Sequence, residues 1–117
     1  MIEIDRMALV FQPKKEFIDW LKSINEEDDL SGMTLITEPT VVLIPIIENE
    51  DEFNDYIKEN YSRWLDYELS SWCSKEALLP KKRDLEAFQS YFDIHVHSLV
   101  IDNLNSEYLM SENMTLQ

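Results

Sequence analysis

Two histidines and one carboxylate are the residues of this chain whose types and spacing could do chemistry. His95 and His97 are its only histidines. Alternate residues of a strand share a face, which is how a strand presents two imidazoles to one metal ion. A third ligand is needed, and Glu68 is the candidate. At about 100° per residue it falls among the apolar positions of a long predicted helix, between Ile57 and Tyr61. A carboxylate there must be paired, protonated or bound to something, because burying it alone costs several kcal/mol by order of magnitude. His95, His97 and Glu68 would make a two-histidine, one-carboxylate site for a divalent metal. The competing reading places the histidines on the solvent face of an edge strand, with Glu68 paired to a Lys or Arg.

The second chemical signal is charge. From Ser23 to Ile57 there is no Lys or Arg, while Glu26, Glu27, Asp28, Asp29, Glu38, Glu48, Glu50, Asp51, Glu52 and Asp55 all lie there, within a chain of formal net charge −14. Such a field repels phosphate backbones and anionic headgroups and attracts basic proteins or hard cations. Nucleic acid and membrane surfaces are therefore not expected partners. A basic protein is, and Glu26, Glu27, Asp28 and Asp29 are the candidate contact residues, because that run has no evident structural task. Mimicry of nucleic acid would need carboxylates held rigidly at phosphate spacing, and this run reads as a loop. Lys81-Lys82-Arg83 is the one basic cluster, and its three charges do not overcome the field of the molecule beyond a Debye length of about 8 Å. It is expected to pair with acidic groups of the same protein or of a second copy.

Other chemistries are excluded or weakened by composition. Gly32 is the only glycine, whereas phosphate-cradling loops and the G-x-S-x-G nucleophile elbow need several. Cys73 is the only cysteine, so no intramolecular disulfide and no thiolate zinc cluster can form, and a reducing cytoplasm is the expected compartment. At the end of the predicted long helix the dipole disfavours a thiolate, so Cys73 reads as a structural thiol. The acidic N-terminus lacks the pattern of a secretory signal, and the apolar run Val41 to Ile47 is too short to span a bilayer.

The elements that must position these groups follow from periodicity. Met7 to Phe11 is an apolar run that could be a strand or the lead-in to a helix. Pro13 suits the first turn of a helix to Asn25, with Phe17, Trp20, Leu21 and Ile24 on one face. The acidic loop and Gly32 follow, then β-branched runs at Thr34 to Thr37 and Thr40 to Ile47 separated by Glu38-Pro39, with Pro45 marking an edge, a bulge or a strand end. Asn49 caps a long helix from Glu50 to about Ser74, with Glu52 completing a capping box and Phe53, Ile57, Tyr61, Trp64, Leu65, Leu69 and Trp72 inward. A short helix from Asp84 to about Tyr91 and a strand from Asp93 to Asp102 close the domain. The tail from Asn103 to Gln117 has no clear period and is expected to be partly mobile. The fold class is α+β: one domain over residues 1–102, with helices covering one side of a small, mostly antiparallel sheet.

The segment from Val41 to Asp102 resembles an uncharacterised family of small acidic bacterial proteins. The likeness is carried by Ile44-Pro45, Ile57-Lys-Glu-Asn-Tyr61, Ser71-Trp-Cys73, Leu79-Pro-Lys-Lys-Arg83 and Phe92-Asp93 through His97-Ser98. Leu79 stands where the family often has Trp, and His95 where it is often acidic, so the resemblance extends to His97 but not to the pair. It implies no activity.

These features point to an accessory or protein-interaction domain with a basic partner rather than an enzyme, requiring no cofactor, with self-association left open. The alternative is a small metal-binding protein or metal-dependent enzyme using His97 with His95 and Glu68. A small acidic chaperone or antitoxin-like role is a third class, suggested by size and charge alone.

Overall fold

The computed structural model describes residues 1–24 and 38–104. Its centre is the strand β2 (Met7–Pro13), with β1 (Ile2–Glu3) before it. The run of Met7 to Phe11 resolves to a strand because its odd positions have a core to face: Met7, Leu9 and Phe11 are all buried on one side. β3 (Thr40–Ile44) and β4 (Phe92–His97) flank β2 antiparallel in the order β3-β2-β4. Leu9 lies opposite Val42 on one side and Val96 on the other, and Phe11 lies opposite Thr40 and Ile94. Directly opposed residues of an antiparallel pair share a face. β5 (Ile101–Asp102) pairs with β1 in a separate two-stranded sheet.

Three helices cover one face of the three-stranded sheet. α1 (Lys15–Ile24) buries Phe17 and Leu21, one turn apart. α2 (Glu50–Trp72) begins at Asn49, whose side-chain oxygen accepts the Glu52 backbone N–H at 3.1 Å, and buries Ile57, Trp64, Leu65 and Leu69. α3 (Leu85–Tyr91) is capped by Asp84, whose carboxylate accepts the Ala87 N–H at 2.9 Å, and buries Phe88. All of these apolar side chains join Met7, Leu9, Phe11, Ile44 and Phe92 in one core. The α+β class with helices on one side of a small antiparallel sheet, and the long helix starting at Glu50, are as the sequence predicts.

The differences have local causes. Pro13 ends β2 opposite Phe92 instead of opening α1. Its missing N–H is harmless at a strand end, and the next residue restores the ladder, Lys14 N–H donating to the Tyr91 carbonyl at 2.8 Å. The expected strand Asp93 to Asp102 is two strands with a break at residues 98–100, so that β5 leaves β4's sheet for β1. β3 stops at Ile44, directly before Pro45. Trp72 is 41% exposed rather than buried. The 23-residue α2 is about 34 Å long, against about 17 Å for the five-residue β3, and its end at Trp72 borders an open cavity instead of the core. The strand expected at Thr34 to Thr37, the Gly32 turn and the tail from residue 105 lie outside the described residues. Among the described residues no helix is long and apolar enough to cross a membrane.

Phe11 contacts aromatic rings from α2, α3 and β4, whereas Val41 is 59% exposed on the uncovered face. Phe11→Ala should therefore destabilise the fold by about 3–5 kcal/mol. Val41→Ala should change it by no more than about 0.5 kcal/mol. Urea midpoints of the two variants check this, and comparable losses would mean that Phe11 is not at the centre of packing.

Candidate functional site

Among the described residues Glu68 is the one buried polar or charged side chain, at 7% exposure. The stripe of α2 that carries Ile57, Trp64 and Leu65 onto the sheet carries Glu68 there too. What meets it is Thr40, the first residue of β3. The Thr40 hydroxyl hydrogen-bonds the carboxylate and holds its proton affinity down, but burial is the larger influence and pushes the Glu68 carboxyl above its usual range. Oε1 has no hydrogen-bond partner.

Two solvent-open cavities meet at Thr40, Tyr67 and Glu68. The first, of about 310 Å³, extends between the last turns of α2 and the junction of β2 with α1, reaching Phe17, Glu38 and Trp72. The second, of about 380 Å³, extends the other way along β3 past Val41, Val42 and Arg63. A cleft holding a buried carboxyl with a perturbed proton affinity is where binding or proton-transfer chemistry is physically sensible. The cavities share Glu68 and differ in their second charged group. The first adds the carboxylate of Glu38, while the second adds Arg63, which donates to the Asn60 side-chain oxygen at 2.8 Å.

The other expected residues do not gather here. His95 pairs opposite Val10 and His97 opposite Ala8, which places both imidazoles on the uncovered face with Val41 and Leu43, and both are exposed. α2 and Glu68 lie across the sheet from them, so the three proposed metal ligands are not brought together. Among the described residues no group of three or more His, Cys, Asp or Glu side chains is arranged to hold a metal ion. Glu26, Glu27, Asp28 and Asp29 lie outside the described residues. Cys73 is a half-buried free thiol at the α2 C-terminus, its backbone N–H donating to the Leu69 carbonyl at 3.0 Å. In the basic cluster, Lys82 pairs with Glu86 at 3.0 Å and Arg83 with Glu76 at 3.2 Å, both within the protein as expected.

Periodicity singles out Glu68, but not its surroundings. Trp72 reads as core from its angular position, Glu38-Pro39 reads as a break between strands and Thr40 as the start of the second. Only tertiary packing brings these residues beside Phe17. Comparison of the chain with protein-family models, with curated proteins and with solved structures returns no match, so the functional reading rests on the chain's own residues.

The raised proton affinity of Glu68 has a definite sign. The folded protein binds this proton more tightly than the unfolded chain does, so the group's contribution to stability is fully present in acid and lost as pH rises through its folded-state value. Tyr67 and Glu38 border the same space and Arg63 the adjoining one. Glu68→Gln removes the charged form while keeping an acceptor for Thr40. It should stabilise the protein near pH 7 by on the order of 1 kcal/mol. The gain should shrink toward about pH 4, where the carboxyl is protonated in both states. Glu59→Gln, on the exposed side of the same helix, should stay within about 0.5 kcal/mol at either pH. Urea midpoints at the two pH values test this, and a Glu68→Gln effect that does not vary with pH would contradict it.

Proposed function

We propose that this chain is an accessory, protein-interaction domain whose acidic surface receives a basic protein partner. The observation that carries the reading is the outer face of α2, where Asp51, Asp55, Glu59 and Asp66 are all exposed on the side opposite the core. Asp51, Asp55 and Glu59 follow one another at i, i+4 spacing, which costs a helix about 0.2–0.5 kcal/mol per like-charged pair. Arg63 is set between Glu59 and Asp66 and Lys58 stands at the edge of the stripe, both exposed. Arg63 donates to the Asn60 side chain, and the ion pairs of the described residues, Lys82–Glu86 and Arg83–Glu76, lie elsewhere, so the four acids outnumber the cations of this face. Asp51 also opposes the helix dipole at the N-terminus, but Glu59 and Asp66 are too far along for that effect, which fades within the first turn.

A stripe of this kind steers a basic partner during encounter and repels polyanions. Its effect belongs to the association rate and to the salt dependence of that rate. Glu26 to Asp29 would extend the same field.

The test begins with affinity capture from native lysate at low and moderate salt. Association rates of the captured basic protein are then measured against ionic strength for three proteins: native, a variant with Asp51→Asn, Asp55→Asn, Glu59→Gln and Asp66→Asn, and a variant with Glu26, Glu27, Asp28 and Asp29 replaced by Ser and Gln. The stripe variant should associate more slowly at low salt, with a shallower salt slope, while remaining as stable as the native protein. The variant of residues 26–29 should show a smaller change of the same sign. Coinciding slopes for native and stripe variant would reject the reading.

A further inference from the structure

We infer that the cavity between Glu68, Trp72 and Phe17 is a receptor for the cationic head of one Lys or Arg side chain of the partner. The assignment rests on the interaction reading above and supplies its anchor. It starts from Glu68, a side chain only 7% exposed that lines this cavity and whose Oε1 is closed off from solvent with no hydrogen-bond partner. Oε1 has lost its water without gaining a donor, and a small rotation of the carboxylate toward an ammonium or guanidinium N–H in the cavity would complete it.

The remaining walls agree on the sign of the ligand. Glu38, at the mouth, supplies a second carboxylate, and the described lining contains no Lys or Arg. Phe17, Tyr67 and Trp72 supply aromatic rings, whose faces attract a cation. Tyr67 is 66% and Trp72 41% exposed, so these rings are open to an incoming group. The adjoining cavity shares Glu68 and Tyr67 but has Arg63 in place of Glu38, so its wall charges offset and it suits a cation less well.

An organic cation suits the site better than a hard metal ion. Calcium takes six to eight oxygen ligands, and among the described residues no cluster of three or more candidate ligands exists. A planar guanidinium or a tetrahedral ammonium needs only one or two carboxylates and an apolar wall for its stem. The origin of the cation in a protein partner follows from position. The cavity opens beside the last turns of α2, the helix whose outer face carries the acidic stripe, so a basic segment drawn to α2 is brought near this opening.

The experiment titrates the ¹⁵N-labelled full chain, following the three tryptophan indole signals, with the Trp72 signal assigned by Trp72→Phe. The probes are a blocked Gly-Lys-Gly peptide, its norleucine counterpart and free 1,4-diaminobutane. The lysyl peptide should shift the Trp72 indole saturably at millimolar concentration, leaving the buried Trp64 indole in place, and the norleucine peptide should not. Glu68→Gln should weaken binding by about tenfold or more, which is about 1.4 kcal/mol. Glu38→Gln, at an exposed position, should weaken it severalfold and provides the test should Glu68→Gln fold poorly. Equal affinity for the lysyl and norleucine peptides, or unchanged affinity in both variants, would overturn the inference. Diamine binding more than about tenfold tighter than that of the lysyl peptide would overturn the assignment to a partner's side chain. The two readings fail separately: coinciding salt slopes remove the acidic stripe, and indifference to Glu68→Gln and Glu38→Gln removes the cavity.

Discussion

The fold depends on the contacts of one ring. Phe11, on the central strand, meets Trp64 of α2 at 5.2 Å between centroids, Phe88 of α3 edge-on at 5.4 Å and Phe92 of β4 at 6.3 Å. Phe92 in turn stacks at a tilt against Phe17 of α1 at 4.8 Å. Every helix is thereby tied to the sheet through aromatic side chains that touch Phe11 directly or at one remove. Such pairs add about 0.5–1.5 kcal/mol each beyond the area they bury. Large rings also fix the spacing of the elements more firmly than small aliphatic groups would, since they cannot be accommodated by minor shifts in a close-packed interior.

That arrangement accounts for the position of the candidate site. With Trp64 held on Phe11, the rotation and axial position of α2 are set, and Glu68, one turn later on the same stripe, has to point inward. It meets Thr40, the first residue of β3. The cavity forms there, between the last turns of α2, Thr40 and the end of β2 at Pro13. A Leu at position 68 would pack against the same wall without desolvating a charge. The carboxylate is the component of the site that packing alone does not explain.

How legible this was in the sequence varies with the range of the interaction concerned. Asn49 as a cap, Asp84 before the short helix, the apolar stripe of α2 and the inward angle of Glu68 are all local, and the chain declares each of them within a few residues. Pro13 reads as a first-turn proline because its fixed φ suits that position, but the same φ serves a strand end, and the pairing with Phe92 places it there. The expected strand from Asp93 to Asp102 breaks because β1 recruits Ile101 and Asp102, an interaction spanning nearly the whole chain. Trp72 has the angle of a core residue, but it borders an open cavity and is 41% exposed. The three expected metal ligands fail to converge on a point that strand alternation does not supply, namely which face of the sheet the helices choose.

That choice also separates two kinds of surface. The uncovered face carries Val41, Leu43 and the exposed histidines, an apolar patch with no formal positive charge when the imidazoles are neutral. The helical side carries the acidic stripe and the cavity with its buried carboxylate. Long-range attraction acts on the second surface and not on the first, because field strength follows net charge while apolar contact acts only on touching. A basic partner is therefore drawn first to α2. The stripe can accelerate encounter but holds little once the charges are solvated and screened. Affinity has to come from a group that is desolvated on binding and whose own desolvation was already incurred on folding. Glu68 meets that condition, since its Oε1 is removed from water and unpartnered before any ligand arrives. A cation entering the cavity would lose its own hydration, but would meet an acceptor that has no water left to give up.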